Sequence, residues 1–323
     1  MQAMVVRSFG GPDVLSIESV PIPSLGSDQV LVRVHAAGVN PIDTYIRAGA
    51  YGKLPMLPYT PGMDGAGVVE VSQSPKIKVG SRVYVGRSVT GTYAQFAVCD
   101  SNQVHALPER VSFAQGAAIH VPYWTAMQAI VHKARAKPGE WVLIHGASGG
   151  VGLAAVQIAR QRGLRVIATA GSAAGLELLK TQGAVHVFNH HDAELVSKVH
   201  ALTKFPEGGV DIVLEMLANV NLEKDLAMMA MRGRIVVIGN RGRIEINPRD
   251  AMSRDATICG MSLLNSTEEE KADLARMVGV GLDSGELTPV VRSELALAEA
   301  PRAHQLVLES GAAGKLVLRP WAE

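Results

Sequence analysis

The sequence predicts an α/β protein: a doubly wound parallel sheet domain inserted in a mostly antiparallel, partly barrel-like β domain. Three observations predict it. Short apolar runs separated by Gly, Pro and Ser dominate the first third of the chain. After about Ala114, helix-patterned stretches alternate with apolar runs, the signature of βαβ units. A charged helical stretch from Glu268 to Gly281 and a terminal Lys315-Leu-Val-Leu318 run then read as a return to the first domain. The expected parts are 1–122, 123–264 and 265–323. At 323 residues the chain is too long for one ordinary core, which fits this interrupted arrangement.

In the first part, Val30-Leu-Val-Arg-Val-His-Ala36, Gly65-Ala-Gly-Val-Val-Glu-Val71, Arg82-Val-Tyr-Val85 and Tyr93-Ala-Gln-Phe-Ala-Val98 read as strands. The central part opens on Trp141-Val-Leu-Ile-His-Gly-Ala-Ser-Gly-Gly-Val-Gly152 and a small-residue helix from Leu153 to Arg160. A buried strand must reverse there within a few residues. Gly146, Gly149, Gly150 and Gly152 remove the Cβ atoms that would block the turn or hold a pyrophosphate away from backbone N–H groups. The helix beginning near Val151 then aims free amides and its positive dipole end at phosphates. Ala154, Ala155 and Ala159 permit close packing on a sheet, the context that turns a glycine pattern into a dinucleotide site.

Further strands are expected at Val185–Phe188, Val210–Leu214 and 234–239. An NAD site usually carries an acidic residue about 20 residues beyond the glycine turn, for the ribose 2′-hydroxyl. Here the second strand, Leu164 to Ala170, runs into Gly171-Ser172-Ala173-Ala174-Gly175 with no carboxylate. That favours NADPH over NADH, with His190 and Arg241 as candidates for the 2′-phosphate. His190 reads equally well as a surface histidine of the His190-His191-Asp192 loop.

A formal net charge of +1 and the lack of any Lys/Arg cluster count against nucleic acid as the main partner. No apolar run approaches the roughly 20 residues of a membrane span, so no membrane association is expected. The opening run Met1 to Arg7 passes straight into a strand pattern, so no export signal is expected. With only Cys99 and Cys259 present, a disulfide framework is not expected and a cytoplasmic setting is.

Several longer blocks add a family resemblance. They are Gly10-Gly-Pro12, His35-Ala-Ala-Gly-Val-Asn-Pro41, Thr44-Tyr-Ile-Arg47, Leu57-Pro-Tyr-Thr-Pro-Gly62, the 145–152 glycine turn, Glu215-Met-Leu-Ala-Asn-Val-Asn221 and Ile244-Glu-Ile-Asn-Pro-Arg-Asp250. In this order they closely resemble zeta-crystallin-type quinone oxidoreductases, the zinc-independent branch of the medium-chain dehydrogenase/reductase superfamily. The resemblance implies a GroES-like catalytic domain from both chain ends, a central Rossmann domain, NADPH in the interdomain cleft, and reduction of o- or p-quinones by a homodimer or homotetramer. Whether electrons pass as hydride or singly stays open.

The zinc-dependent relatives begin the segment that here reads Asn40-Pro-Ile-Asp43 with Cys, carry His-Glu where this chain has Met63-Asp64, and place a further Cys near Val121. Met and Val are poor ligands for a borderline cation, so no catalytic zinc is expected. Asp64 reads first as a structural hydrogen-bond acceptor, with a relic carboxylate or a member of the active-site polar set as the alternatives. A quinone suits a metal-free site, because the added electrons spread over its ring and both oxygens.

By the same resemblance, Asn40 and Tyr45 are the candidate catalytic residues, with Tyr45 also contacting the cofactor. Ser148, Gly149, Gly150 and Val151 fall at the pyrophosphate, and Gly171, Ser172 and His190 toward the adenosine end. Asn221, Ile238, Gly239, Asn240, Arg241, Met261, Ser262 and Leu263 line further strand ends, Asn240 standing where relatives carry Ser. Asn40 reads equally as a turn residue before Pro41, and Lys315 either approaches the cleft or caps its strand. The apolar run from Thr257 to Leu264 would form a sheet edge open to a second subunit. Competing functions are an NADPH-dependent enone or alkenal reductase and, outside catalysis, a crystallin-like NADPH-binding or RNA-binding protein.

Overall fold

The computed structural model describes residues 1–321. The chain divides into two compact units, one formed by Met1–Val121, Leu282–Ser310 and the segment from Gly314 onward, the other by Pro122–Gly281 and Gly311–Ala313.

In the first unit, strands β1 (Gln2–Val6) and β2 (Leu15–Ser19) pair antiparallel. A seven-stranded sheet holds β3 (Gln29–Val39), β4 (Asp64–Ser72), β5 (Arg82–Gly86), β6 (Phe96–Asp100), β7 (Val104–Ala106), β14 (Val291–Ala296) and β15 (Lys315–Arg319). Its order is β14-β15-β3-β4-β5-β7, with β6 also on β3. Register shifts between Leu31/Val32 and Val34/Ala36 bend the long β3, which lets it serve β4, β6 and β15 together. Strand β6 starts later than the apolar pattern indicates. Tyr93 and Gln95 instead bond back to β1, through Met4 N to Tyr93 O (2.8 Å) and Gln95 N to Gln2 O (3.0 Å).

The second unit is a six-stranded parallel sheet of β8 (Trp141–Ile144), β9 (Arg165–Ala170), β10 (His186–Asn189), β11 (Val210–Glu215), β12 (Met229–Val237) and β13 (Thr257–Gly260). The order β10-β9-β8-β11-β12-β13 is that of a doubly wound dinucleotide fold, whose reversal lies between β8 and β11. Helices Gly150–Gln161, Ala173–Thr181, Leu195–Thr203 and Ala218–Met228 make crossovers. Ala154, Ala155 and Ala159 are fully buried, so the first of these helices packs closely, as its small residues indicate. Strand β12 begins at Met229, ahead of the expected apolar run, because Met229 pairs with Val210 before a register shift. Strand β13 is the expected edge.

The return to the first unit falls at Leu282 and not at 265. The helix Glu268–Ser284 begins within the second unit, where Lys133 meets Glu270 and His132 meets Asp273, each at 3.5 Å. No helix among the described residues is long and apolar enough to cross a membrane.

Candidate active site

All candidate cofactor residues except Tyr45 fall at the carboxyl ends of the parallel strands, the edge where open α/β sheets bind ligands. Between β8 and its helix the chain is held by His145 N to Leu214 O (3.1 Å), Ala147 N to Thr169 O (2.8 Å) and Gly149 N to Gly146 O (3.1 Å). Gly146 adopts φ +54°, and a Cβ at Gly152 would lie 2.4 Å from Ala147 Cα, so the turn closes only with glycine there. At Gly149 a Cβ would meet nothing nearer than Gly146 O at 3.4 Å, which leaves the outer side of the turn open for a phosphate. The helix starts at Gly150 and Val151 with no side-chain cap, so its first N–H groups are available to an anion.

Ser148 is buried, its hydroxyl lying against Gly175. Ser172 caps the helix Ala173–Thr181 by accepting from Gly175 N at 3.1 Å. The His190 imidazole lies over Gly171, where a Cβ would sit 2.6 Å from Nε2. Burial, then the neighbouring His191 and His145, lower the His190 pKa. Its imidazole is therefore neutral at neutral pH and has a hydrogen bond, not a charge, to offer.

On the other side of the reversal, Glu215 organises the backbone. Its carbonyl accepts from Ile238 N (2.8 Å) and Gly239 N (3.1 Å), and its side-chain Oε1 accepts from Leu217 N and from Asn221 Nδ2 at 3.2 Å. Asn240 and Arg241 are exposed; Asn240 Nδ2 donates to Gly242 O (2.8 Å), and Asn219 Oδ1 accepts from Arg241 N (2.9 Å). Met261 N donates to Val237 O at 3.1 Å, and Ser262 and Leu263 begin the short turn behind it. The glycine turn, the open helix start and the absence of a carboxylate after β9 fit a dinucleotide bearing a 2′-phosphate.

In the first unit, Asn40 caps the helix Pro41–Arg47, and its N–H donates to Asp43 Oδ2 at 2.9 Å. Its side chain is committed inward: Nδ2 donates to Asp64 Oδ2 (3.0 Å), and Oδ1 accepts from Lys315 Nζ. Asp64 Oδ2 also takes Lys315 Nζ at 2.9 Å, while Oδ1 accepts from Val121 N at 3.0 Å and faces His120 Nδ1 at 3.4 Å. Burial pushes the Asp64 carboxyl up, but Lys315, His120 and Asn40 together hold it down at about 2. Tyr45 lies half-buried on the same helix as Asp43. Behind them runs a buried chain from Asp43 Oδ2 to Tyr93 OH (3.3 Å), His304 Nε2 (3.2 Å) and, through Nδ1, Arg47 (3.4 Å).

The structural role expected of Asp64 is therefore what its contacts show. Lys315 is more than a strand cap, since its ammonium is buried among Asn40 and Asp64. A zinc ion does not fit there: of the zinc-ligand positions only Asp64 offers a carboxylate, and its oxygens are taken by an ammonium, an amide and a backbone N–H. Sequence reasoning also passed over His145, Glu215 and Asp225 as a group. The signal was a histidine at the end of an otherwise apolar strand, β8.

Residues 26–109 match the alcohol dehydrogenase GroES-like domain family, and residues 150–280 match the family described as zinc-binding dehydrogenase. The chain is 48% identical to mouse (Mus musculus) quinone oxidoreductase over 98% of its own length and 97% of that protein's. Its fold superposes on the Escherichia coli quinone oxidoreductase complexed with NADPH with a TM-score of 0.90 at 28% identity, over 99% of this chain and 100% of that one. An NAD-dependent alcohol dehydrogenase superposes as well, with a TM-score of 0.90 at 31% identity over 99% of each chain. Near-full-length identity of this size, over both the GroES-like and the Rossmann parts, places the chain in the zeta-crystallin-type quinone oxidoreductases of the medium-chain dehydrogenase/reductase superfamily.

Proposed function

We propose that this protein is an NADPH-dependent quinone reductase that works without zinc. The observation that carries the coenzyme choice is the end of β9, where Gly171 and Ser172 replace the usual acidic residue and His190 lies over Gly171. When bound, NADPH supplies the reducing equivalents. The chain's part is to hold and orient: Ser148, Gly149, Gly150 and Val151 at the pyrophosphate, Gly171, Ser172, His190 and Arg241 toward the 2′-phosphate, and Asn221, Ile238, Gly239, Asn240, Met261, Ser262 and Leu263 along the remaining strand ends. In the first unit Tyr45 is assigned to the reacting rings, with its phenol as hydrogen-bond donor to a quinone oxygen. Asn40, committed to Asp64 and Lys315, acts as a positioning residue.

A quinone as acceptor agrees with the donor chemistry around Asp64, which provides no Lewis acid, because quinone reduction needs little help at oxygen. We further infer a homo-oligomer joined along β13 and, from two free thiols, a reducing cytoplasmic setting. The test is steady-state oxidation of NADPH against NADH with a panel of o- and p-quinones and a panel of enones, with and without chelator. Quinone turnover that prefers NADPH and survives chelation supports the reading. Faster turnover of enones would replace it with a double-bond reductase.

A further inference from the structure

Directly under the glycine turn lies a buried polar set that the proposed reaction does not use. His145 follows β8, Glu215 ends β11, and Asp225 sits on the helix Ala218–Met228. Their side chains are 5%, 0% and 0% exposed, and one nitrogen or oxygen atom from each lies within 4.8 Å of the other two. His145 Nε2 is 2.8 Å from Asp225 Oδ1 and 3.8 Å from Glu215 Oε2, while Nδ1 is 3.2 Å from Thr169 Oγ1.

The hydrogen bonds leave a gap. Glu215 Oε1 is used by Leu217 N and Asn221 Nδ2, yet Glu215 Oε2 and Asp225 Oδ2 have no donor among the described residues. Carboxylate oxygens buried at 0% exposure without a donor are costly, and two carboxylates this close do not both ionise. One proton between them satisfies both. Burial pushes Glu215 up to about 8 and Asp225 up to about 7, so the pair keeps a proton at neutral pH; Lys224 and the close His145 Nε2 favour the anion at Asp225, which puts the proton on Glu215.

The surrounding charges do not replace that proton. Burial keeps His145 neutral, with Nε2–H donating to Asp225 and Nδ1 accepting from the Thr169 hydroxyl. His190 is also held below its ordinary pKa, and Lys224 acts on Asp225, stabilising its anion. A cation between the three groups would need His145 and Asp225 to part from their direct contact, and it would find three ligands where zinc takes four.

We propose that His145, Glu215 and Asp225 form a proton-sharing positioning set: one proton held between the two carboxyls keeps Glu215 Oε1 on Leu217 and Asn221, and so holds the turn after β11 in its dinucleotide-binding shape. Loss of the proton to solvent leaves two adjacent buried anions. Glu215 then turns toward water and releases Leu217 and Asn221. This rests on the coenzyme reading above, and it adds a pH dependence that the glycine turn alone does not have. The sign follows from the proton count. Between about 4.5 and about 8 the folded chain holds a proton on Glu215 that the unfolded chain lacks, so stability falls as pH rises through that window.

The test reads the ratio of NADPH dissociation constants at about pH 9 and about pH 7, where a phosphate monoester with a pKa near 6 is already about nine-tenths ionised. A competent state requiring a group of pKa about 8 makes wild-type binding about tenfold weaker at the higher pH. Glu215→Gln imitates the protonated carboxyl, accepting through Oε1 and donating to Asp225, and its ratio stays within about twofold of one. Unliganded melting temperature is the second readout: wild type loses stability as pH rises to about 8, and Glu215→Gln lacks that loss. A tenfold loss persisting in Glu215→Gln, or no loss in wild type, overturns the proposal. So does one tightly held divalent cation per chain whose removal lowers the melting temperature. Failure of wild type to bind NADPH at any pH sinks the coenzyme reading instead, and the melting comparison then decides the proton set by itself.

Discussion

Lys315 donates from Nζ to Asp64 Oδ2 over 2.9 Å, and both side chains are sealed from solvent, at 5% and 0% exposure. The contact joins a strand near the end of the chain to the strand that follows Met63, and Asn40 bridges the two. Burying an ion pair costs desolvation on both sides, so such a pair adds little to stability over an apolar pair of the same volume. Removing one partner alone leaves an uncompensated charge, at a cost of about 3–5 kcal/mol.

Lys315→Met is therefore expected to lower the unfolding free energy by about 3–5 kcal/mol in urea titration. Lys315→Met combined with Asp64→Leu is expected to recover only part of that loss, because Asn40 Nδ2 and Val121 N then lose their acceptor. The pH sign is opposite to that of Glu215. Asp64 is depressed to about 2 in the fold, so its contribution is fully present above the ordinary carboxylate range and is lost as pH falls from about 3.8 to about 2. A single variant within about 1 kcal/mol of wild type would show that Asp64 does not depend on Lys315.

The glycine turn yields a binding prediction. Gly150 is the first helical residue and stands next to the open side of the turn at Gly149. Gly150→Asp places a carboxylate among the amides assigned to the pyrophosphate and is expected to weaken NADPH and NADH alike by about hundredfold or more, about 3 kcal/mol. Fluorescence titration measures it. A melting temperature close to wild type is required alongside, to show that the fold survives. Undiminished binding would move the phosphates away from this turn.

How far the sequence could be read depends on the distance between partners. The β8-turn-helix unit was legible because strand, glycines and helix all lie within residues 141–161 and obey local rules. The start of β6 was not, because Tyr93 and Gln95 are held by Met4 and Gln2, about 90 residues away. Lys315 and Asp64 are 251 positions apart, and only the fold pairs them; along the chain Lys315 reads as a charge at a strand start. His145 and Asp225, 80 positions apart, escaped for the same reason. The helix Glu268–Ser284 carried a clear periodic pattern, but its pattern could not say which unit its first turns join, which Glu270 and Asp273 decide through Lys133 and His132.

Coenzyme choice turns on Arg241 in the second prediction about binding. The residue is exposed and follows the end of β12, and its backbone N–H is fixed by Asn219 Oδ1 at 2.9 Å. His190 is held neutral, which leaves Arg241 as the charge proposed for the 2′-phosphate. Arg241→Glu is expected to weaken NADPH about thirtyfold to hundredfold and to leave NADH within about threefold. Equal losses for the two coenzymes would refute the phosphate role.

The edge strand provides the last prediction. Ile258 pairs with Ile235 on the inner side of β13, and no strand among the described residues covers the outer side. The side chain is 40% exposed in the single chain, where an unpaired, apolar edge offers both backbone hydrogen bonds and greasy surface to a second copy. A two-fold arrangement of β13 against its counterpart would satisfy both and would close on itself. Ile258→Lys puts two ammonium groups into that contact and is expected to shift sedimentation from dimer or tetramer to smaller species at micromolar concentration, with NADPH affinity changed by less than about threefold. An unchanged sedimentation profile, or a wild-type monomer, would place the subunit contact elsewhere or remove it.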